Sequence, residues 1–297
     1  MRRTAFIAIV GRPNTGKSTL MNKLLGEKVA IVSNKPQTTR NRILGILSRG
    51  EDQFVFLDTP GIFRPRNSLG DYMVKAANAT LQEADAVILL ADAGREVTEV
   101  EQTVIRYLKN AKKPALLALN KVDLYNREQI AATIAAYAAF HDFDAYVPIS
   151  AKNGTQLDEL LKECEAFLAQ GDWMFPADIA TDQSERQLAA EIIREKILRT
   201  TDKEIPHGTA VVIEDFSEDG NMIRIRAEIF CEKASHKGII LGKGGANLKL
   251  IGTYARQDME KLFGCKVFLD LWVKVKENWR DSQRNVVEFG YRKDDYN

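Results

Sequence analysis

The chain has 297 residues, 45% hydrophobic and 28% charged, with 42 basic against 41 acidic side chains and a formal net charge of +1. This is ordinary globular composition with room for about two domains, and whole-chain charge does not mark a nucleic-acid binder. No apolar run approaches the ~20 residues of a bilayer span, and Cys164, Cys231 and Cys265 stand singly with no CxxC, which excludes a disulfide scaffold or zinc ribbon and fits a reducing cytoplasm. His141, His207 and His236 are isolated and read as surface or loop residues without a metal role.

The start, MRRTAFIAIVGR, is basic and then apolar, but Arg12 cuts the run short and no small-residue cleavage site follows. Residues 4–10 therefore read as a buried strand. Further strand candidates are 42–48, 53–58, 86–92, 114–120 and 145–150, with helical patterns between most of them. Their continuous apolar runs suit a parallel sheet buried on both faces. The short RGED connection between 42–48 and 53–58 predicts a hairpin and hence one antiparallel edge strand. Residues 1–170 form a doubly wound α/β domain whose ligand should lie beyond the carboxyl ends of the strands.

GRPNTGKS (11–18) follows the first strand and opens a helix, the context a G-x-x-x-x-G-K-[ST] phosphate loop requires. Gly11 and Gly16 let the backbone wrap phosphates, while Arg12, Pro13, Asn14, Thr15 and Thr19 complete the loop and helix start. Lys17 can reach β- and γ-phosphates, and the Ser18 hydroxyl can ligate Mg²⁺. PQTTR (36–40) lies in the following loop, where Thr39, ahead of Thr38, is the candidate second Mg²⁺ hydroxyl. DTPG ends a strand: Asp58 would hold Mg²⁺ through water and the Gly61 N–H would meet the γ-phosphate, with Thr59, Pro60 and Ile62 alongside. Lys17, Thr39 and Gly61 are the catalytic candidates. NKVD (120–123) identifies the base, because Asp123 can accept from a ring N–H and an adjacent exocyclic amine, a pair guanine has and adenine lacks. Asn120 would brace the purine and Lys121 cover its face, with Val122 between Lys121 and Asp123. ISA (149–151) places Ser150 and the Ala151 N–H near the guanine oxygen, with Lys152 next.

QGDWMFPADIATD breaks the rhythm; residues 171–182 read as a linker. A helix over 184–201, strands over 208–216 and 221–230, a short helix before the second glycine loop, a helix over about 246–262 and a strand over 266–275 follow. The order predicts an α+β layer over 183–280. GKGGANLK (242–249) is not a phosphate loop of the first kind, since no Ser or Thr follows the lysine. Nor is it G-x-G-x-x-G, because Asn247 replaces the last glycine. As a G-x-x-G loop (Gly242, Lys243, Gly244, Gly245) it can clamp a sugar-phosphate backbone. Lys237, Lys243 and Lys249 supply charge, and Ile239, Ile240, Leu241 and Ile251 flank the loop, where they could floor a groove for bases although several of them must be ordinary core. Residues 243–280 hold eight basic and four acidic side chains, a local +4, so base contacts must supplement charge. Residues 281–297 read as an extension with a short helix and a frayed end.

GRPNTGKS, QTTRN, DTPGI, NKVD and ISA together resemble the Era-type branch of the translation-factor-related GTPases, and the G-x-x-G region with LWVKVKENW (271–279) resembles the KH domain of that family. The resemblance implies a Ras-like P-loop GTPase domain followed by a smaller KH domain of type II. It implies GTP/GDP and Mg²⁺ as cofactors and hydrolysis of GTP to GDP and phosphate. It also implies binding to a single-stranded segment of small-subunit ribosomal RNA, and assistance to the small ribosomal subunit as it matures. Where Ras-like chains carry a water-orienting Gln, this one has Ile62 and Phe63, so slow intrinsic turnover is expected. Asn14 stands where potassium-dependent relatives hold K⁺, a further candidate cofactor. Segments 33–41 and 61–72 should order around γ-phosphate and Mg²⁺. The expectation is a cytoplasmic monomer, with peripheral association at the inner membrane face. The rival reading is a GTP-switched adaptor on a membrane surface or protein partner; an ATP-driven RNA remodeller would require NKVD to be accidental.

Overall fold

A computed structural model describes residues 1–61 and 65–292; Ile62 and Phe63 lie outside the described residues. These divide into two compact units, 1–61 with 73–182 and 65–72 with 183–292.

To residue 170 the elements are β1 (Arg3–Val10), α1 (Lys17–Leu25), β2 (Ile43–Arg49), β3 (Asp52–Asp58), α2 (Ser68–Glu83), β4 (Ala86–Asp92), α3 (Glu99–Ala111), β5 (Ala115–Asn120), α4 (Arg127–Ala138), β6 (Ala145–Pro148), α5 (Leu157–Cys164) and β7 (Ala169–Gln170). The sheet order is β2-β3-β1-β4-β5-β6, with β7 against β1. Strands β3, β1, β4, β5 and β6 run parallel, and β2 joins β3 as the antiparallel edge hairpin that the short RGED connection predicts. Alternation along β1 feeds two cores. Ile7 and Ile9 pack with Leu20, Met21 and Leu24 of α1 and Leu160 of α5. Ala8 and Val10 pack with Leu81 of α2, Val104 and Leu108 of α3 and Tyr137 of α4. Helices therefore cover both faces, and the carboxyl ends of the parallel strands, at Val10, Asp58 and Asn120, share one edge.

The segment 171–182 is not a free tether. Gln53 Oε1 accepts from the Met174 and Phe175 amides at 3.0 and 3.1 Å, and Gln53 Nε2 donates to the Phe175 carbonyl at 2.8 Å. The Ile46 N–H donates to Ala180 O, and Thr181 Oγ1 donates to Leu44 O. The outer edge of β2 exposes unpaired backbone groups, and this segment satisfies two of them.

The second unit contains α6 (Glu185–Thr200), β8 (Ala210–Asp219), β9 (Met222–Cys231), α7 (Ala234–Leu241), α8 (Ala246–Phe263), β10 (Lys266–Val275) and α9 (Gln283–Glu288). Its sheet order is β10-β9-β8, antiparallel between β8 and β9 and parallel between β9 and β10. Ile223, Ile225, Ala227 and Ile229 of β9 face the helices, in a core with Ile193 and Ile197 of α6 and Ile251, Ala255 and Met259 of α8. The amphipathic pattern of α6 understates its burial: Arg194, Glu195 and Lys196 are also buried. They persist as charges because they are paired, Arg194 with Glu191 at 2.6 Å and Lys196 with Glu195 at 2.9 Å.

The C-terminal extension is packed as far as it is described. Trp279 is fully buried, donates Nε1–H to the Gly208 carbonyl at 2.9 Å, and lies 5.2 Å from the Phe289 ring and 6.2 Å from the Tyr291 ring. Trp279→Ala is expected to destabilise this unit by about 3–5 kcal/mol, through the cavity and the orphaned carbonyl. Denaturant unfolding of the variant checks this. Among the described residues no helix is long and apolar enough to cross a membrane.

Candidate functional site

At the carboxyl edge of the large sheet is a cavity of about 540 Å³. It is lined from the phosphate loop by Pro13, Asn14, Gly16, Lys17, Ser18 and Thr19. From the base-reading side come Asn120, Lys121, Asp123, Ser150, Ala151 and Lys152. Thr38, Thr39 and Gly61 close it from the connecting loops.

Gly16 is required where it stands. Its φ is +100°, and a Cβ there would lie 2.4 Å from Asn120 Nδ2. The close approach exists because Asn120 staples the site together. Its Nδ2 donates to Thr15 O at 2.7 Å, and its Oδ1 accepts from the Lys121 and Ala151 amides at 2.8 and 2.9 Å. Asn120 thus ties the phosphate loop to the base-reading loops while lining the cavity, and it also accepts from the Ala151 N–H. Lys121, at φ +67°, donates Nζ to Asn14 O at 2.8 Å and pairs with Asp92 at 2.9 Å. Ser150 is 1% exposed and donates to Asp123 Oδ1 at 2.6 Å. That bond fixes the Asp123 carboxylate at the cavity wall with Oδ2 left to accept.

Lys17 Nζ is buried in the loop, donating to Arg12 O at 3.0 Å and Gly11 O at 3.3 Å. Desolvation lowers its pKa, opposed by the attraction of Asp58. Asp58 is fully buried, and desolvation raises its pKa against Lys17 and its hydroxyl donors. Three chain segments meet here: Ser18 Oγ lies 2.6 Å from Asp58 Oδ2 and 2.9 Å from Thr39 Oγ1, and Thr39 Oγ1 lies 3.3 Å from the same carboxylate oxygen. Asp58 Oδ1 is buried with no hydrogen-bond partner among the described residues. Two hydroxyls and a carboxylate with an unsatisfied oxygen are a hard-oxygen donor set that suits Mg²⁺. Thr38 instead donates to Lys35 O at 2.7 Å, so the geometry favours Thr39 over its neighbour.

Other expected residues act from behind. The Arg12 side chain turns to the buried Glu101 of α3 at 2.8 Å, leaving its carbonyl to Lys17. Thr59 is fully buried and donates to Ile9 O at 3.1 Å, so its hydroxyl braces β1. Val122 packs against the second core. Pro60 is buried, and Ile62 lies outside the described residues. Ser33, Asn34 and Gln37 of segment 33–41 also line the cavity, as do Ile31, Val32 and Leu124, which the motifs do not name. The apolar run Val29–Val32 before a polar segment, and a leucine directly after NKVD, were the sequence signals for these three.

In the second unit, the G-x-x-G loop joins α7 to α8 beside a groove of about 400 Å³ lined by Gly245, Leu248, Lys249, Gly252, Thr253, Arg256, Leu269 and Leu271. Packing decides which of the flanking apolar residues are core. Ile240 and Ile251 are fully buried core, Leu241 packs partly against that core, and Ile239 is 52% exposed on α7. Leu269 and Leu271 of the edge strand β10 supply the apolar wall instead. Lys243 and Gly244 are exposed at the loop tip, while Lys237 is half-buried. Residues 248, 252 and 256 recur at four-residue spacing on one face of α8, a periodicity the sequence does contain. Asn247 holds the loop together, because its Nδ2 donates to Ile239 O and Ile240 O, both at 3.2 Å, and so closes the end of α7.

Fold and site together define a P-loop GTPase unit followed by a KH unit. A family model described as 50S ribosome-binding GTPase matches residues 6–121, and the KH domain model matches residues 204–280. GTPase Era of Alkaliphilus metalliredigens is 49% identical over 97% of this chain and 99% of its own length. GTPase Era of Clostridium novyi is 47% identical over 98% and 100%. The crystal structure of a single-substitution variant of Aquifex aeolicus Era bound to GDP·AlF4⁻ superposes with a TM-score of 0.94 at 40% identity, covering 97% of this chain and 99% of that one. Era in complex with MgGDPNP and nucleotides 1506–1542 of 16S ribosomal RNA gives the same TM-score and identity, covering 98% and 99%. The chain belongs to the Era family of GTPases.

Proposed function

We propose that this protein binds and hydrolyses GTP with Mg²⁺, and that it binds a single-stranded segment of small-subunit ribosomal RNA through its KH unit during maturation of that subunit. The carrying observation is that the chain's two glycine-lysine loops are built differently. The first meets a Ser18–Thr39–Asp58 oxygen cluster at a cavity; the second opens on an apolar groove with no such cluster. The first suits a metal-bound terminal triphosphate and the second a polymer backbone. The relative solved with MgGDPNP and 16S ribosomal RNA supports both halves. We place the protein in the cytoplasm, with peripheral contact at the inner membrane face as a further part of the proposal.

At the first site, Ser18 and Thr39 would ligate Mg²⁺ and Asp58 would hold it through water, and the ion would supply charge that offsets the phosphate oxygens. Lys17 adds charge at the β- and γ-phosphates, the Gly61 N–H meets the γ-phosphate, and Asp123 selects guanine. Thr39 ties segment 33–41 to the state of the site, the physical basis of a switch. The test is GTP turnover and RNA binding measured on the same preparation. Hydrolysis should rise with nucleotides 1506–1542 of 16S ribosomal RNA and stay unchanged with anionic vesicles. Stimulation by vesicles alone would support the adaptor reading instead.

Asn14 bears on how a site without a water-orienting Gln reaches useful rates. It adopts φ +66°, and its Nδ2 donates to Asn34 O at 2.9 Å. That bond points the amide nitrogen at segment 33–41 and leaves Oδ1 as an acceptor for a monovalent cation. Single-turnover hydrolysis is expected to be about tenfold faster in K⁺ than in Na⁺, the equivalent of roughly 1.4 kcal/mol in the barrier, and the difference should vanish in Asn14→Ala. Equal rates in the two salts would remove the cation from the mechanism.

A further inference from the structure

The three-stranded sheet has one face packed on α6 and α8; on the other, Phe289 stacks on Phe230 of β9 at 4.4 Å, while the β10 side around Phe268 and Trp272 is exposed. Along β10, Val267, Leu269, Leu271 and Val273 turn inward, and Leu269 and Leu271 line the groove beside the glycine loop. The residues between them turn the other way: Phe268 is 53% and Trp272 58% exposed. A strand at the sheet edge thus presents groove on one side and two aromatic rings on the other, the two sets alternating along the chain.

The rings are set in polar partners that hold them outward. Arg224 of β9, directly across from Phe268, places its guanidinium 5.7 Å from that ring's centroid. The Trp272 indole N–H donates to Asp270 Oδ2 at 2.9 Å, and Asp270 also lies 3.9 Å from Arg226. Charge is divided across the sheet. Strand β8 carries Glu214, Asp215, Glu218 and Asp219 and no basic residue. Strands β9 and β10 carry Arg224, Arg226, Lys266 and Lys274 against Glu228 and Asp270. A polyanion is repelled from the β8 side and admitted along the β10 edge, where the aromatics are.

We propose that Phe268 and Trp272 form a second contact for single-stranded RNA, stacking bases of the strand that continues past the groove and over the edge of β10. This rests on the assignment of the groove to RNA. A G-x-x-G clamp engages about four nucleotides, and a longer strand leaving it meets β10 next. Exposed aromatics on a sheet offer sequence-tolerant stacking, supplemented here by guanidinium planes. Because Arg224 and Arg226 are already paired with Asp219 and Asp270, the contact is stacking more than phosphate pairing. It should add little to the salt dependence of binding.

The test uses the full chain with Mg²⁺ and a GTP analogue. Binding is measured by fluorescence anisotropy to nucleotides 1506–1542 of 16S ribosomal RNA and to its tightest-binding fragment of about 4–6 nucleotides. The double variant Phe268→Ala/Trp272→Ala is expected to bind the long segment about tenfold or more weakly, from roughly 1–3 kcal/mol of stacking per base. Its affinity for the short fragment, its basal GTP hydrolysis and its melting temperature should match wild type. Phe268→Tyr/Trp272→Phe should restore long-segment affinity. Equal affinity of the double variant and wild type for the long segment overturns the proposal and leaves this face to protein contacts. An equal loss at both lengths also overturns it, by locating the effect in the groove. If wild type binds neither RNA, the assignment of the groove itself fails.

Discussion

Asp123→Ala is expected to lower GTP affinity on the order of 10²–10³-fold, while Asp123→Asn should exchange guanine preference for xanthine. The structure shows why one carboxylate carries so much. Ser150, itself buried, fixes Asp123 Oδ1 at 2.6 Å, so the carboxylate reaches the base preoriented and two neighbouring donors of guanine can share it. Removing one partner of such a charge-assisted pair costs about 2–5 kcal/mol, because the base donors lose their acceptor in a partly dry cavity. An Asn amide offers one donor and one acceptor instead, which opposes guanine's two donors and matches xanthine, where an oxygen replaces the exocyclic amine. Competition of GTP, XTP and ATP for a fluorescent GDP analogue reads both effects. A change in GTP affinity below threefold for Asp123→Ala would remove this residue from base selection.

The second large effect lies in the other loop. Gly242→Asp is expected to weaken RNA binding about tenfold to a hundredfold with GTP affinity unchanged. At φ +71° and ψ 174°, Gly242 occupies a region essentially closed to residues with a Cβ, at a cost of about 1–3 kcal/mol. A Cβ there would also meet the Asn247 Cβ at 2.8 Å and its backbone N at 2.9 Å, displacing the residue that closes α7. Gly245 is a milder case. Its φ of +80° and ψ of 9° are left-handed, and nothing lies within 4 Å of a Cβ built there. Gly245→Asn should keep most of the affinity, and Gly245→Asp should lose it by placing an anion against the phosphates. Titration of labelled RNA beside a nucleotide-binding control separates loop damage from loss of fold.

Much of this was legible in the sequence because it depends on local geometry. Apolar runs of four to eight residues separated by helical patterns encode a two-sided parallel sheet. The phosphate loop, DTPG and NKVD carry their chemistry in spacing, since each sits where a strand ends. The alternation of β9, with Ile223, Ile225, Ala227 and Ile229 on one side, likewise states which face is buried. The order helix, two strands, two helices and a strand was enough to expect an α+β layer around the second loop.

What the sequence did not state involves partners distant in the chain. Asn120 and the Ala151 N–H lie in motifs that suggest contact with the base, and the motifs do not state that a 2.7 Å bond to Thr15 and a 2.9 Å bond between the two also make them braces. Ile240 and Ile251 are apolar and flank a binding loop, but only packing assigns them to the core and gives the groove to Leu269 and Leu271. The stretch 171–182 lacks periodicity because it serves an edge strand rather than an element of its own. In α6, Arg194, Glu195 and Lys196 are charged yet buried and ion-paired, which the helical pattern of 184–201 does not state. By itself the sequence determined the element order, the guanine-nucleotide motifs and the clamp, since bonds between near neighbours and fixed periodicities encode these. Only tertiary structure decided which polar groups face a ligand and which face each other, because satisfying every buried donor and acceptor is a property of the assembled fold.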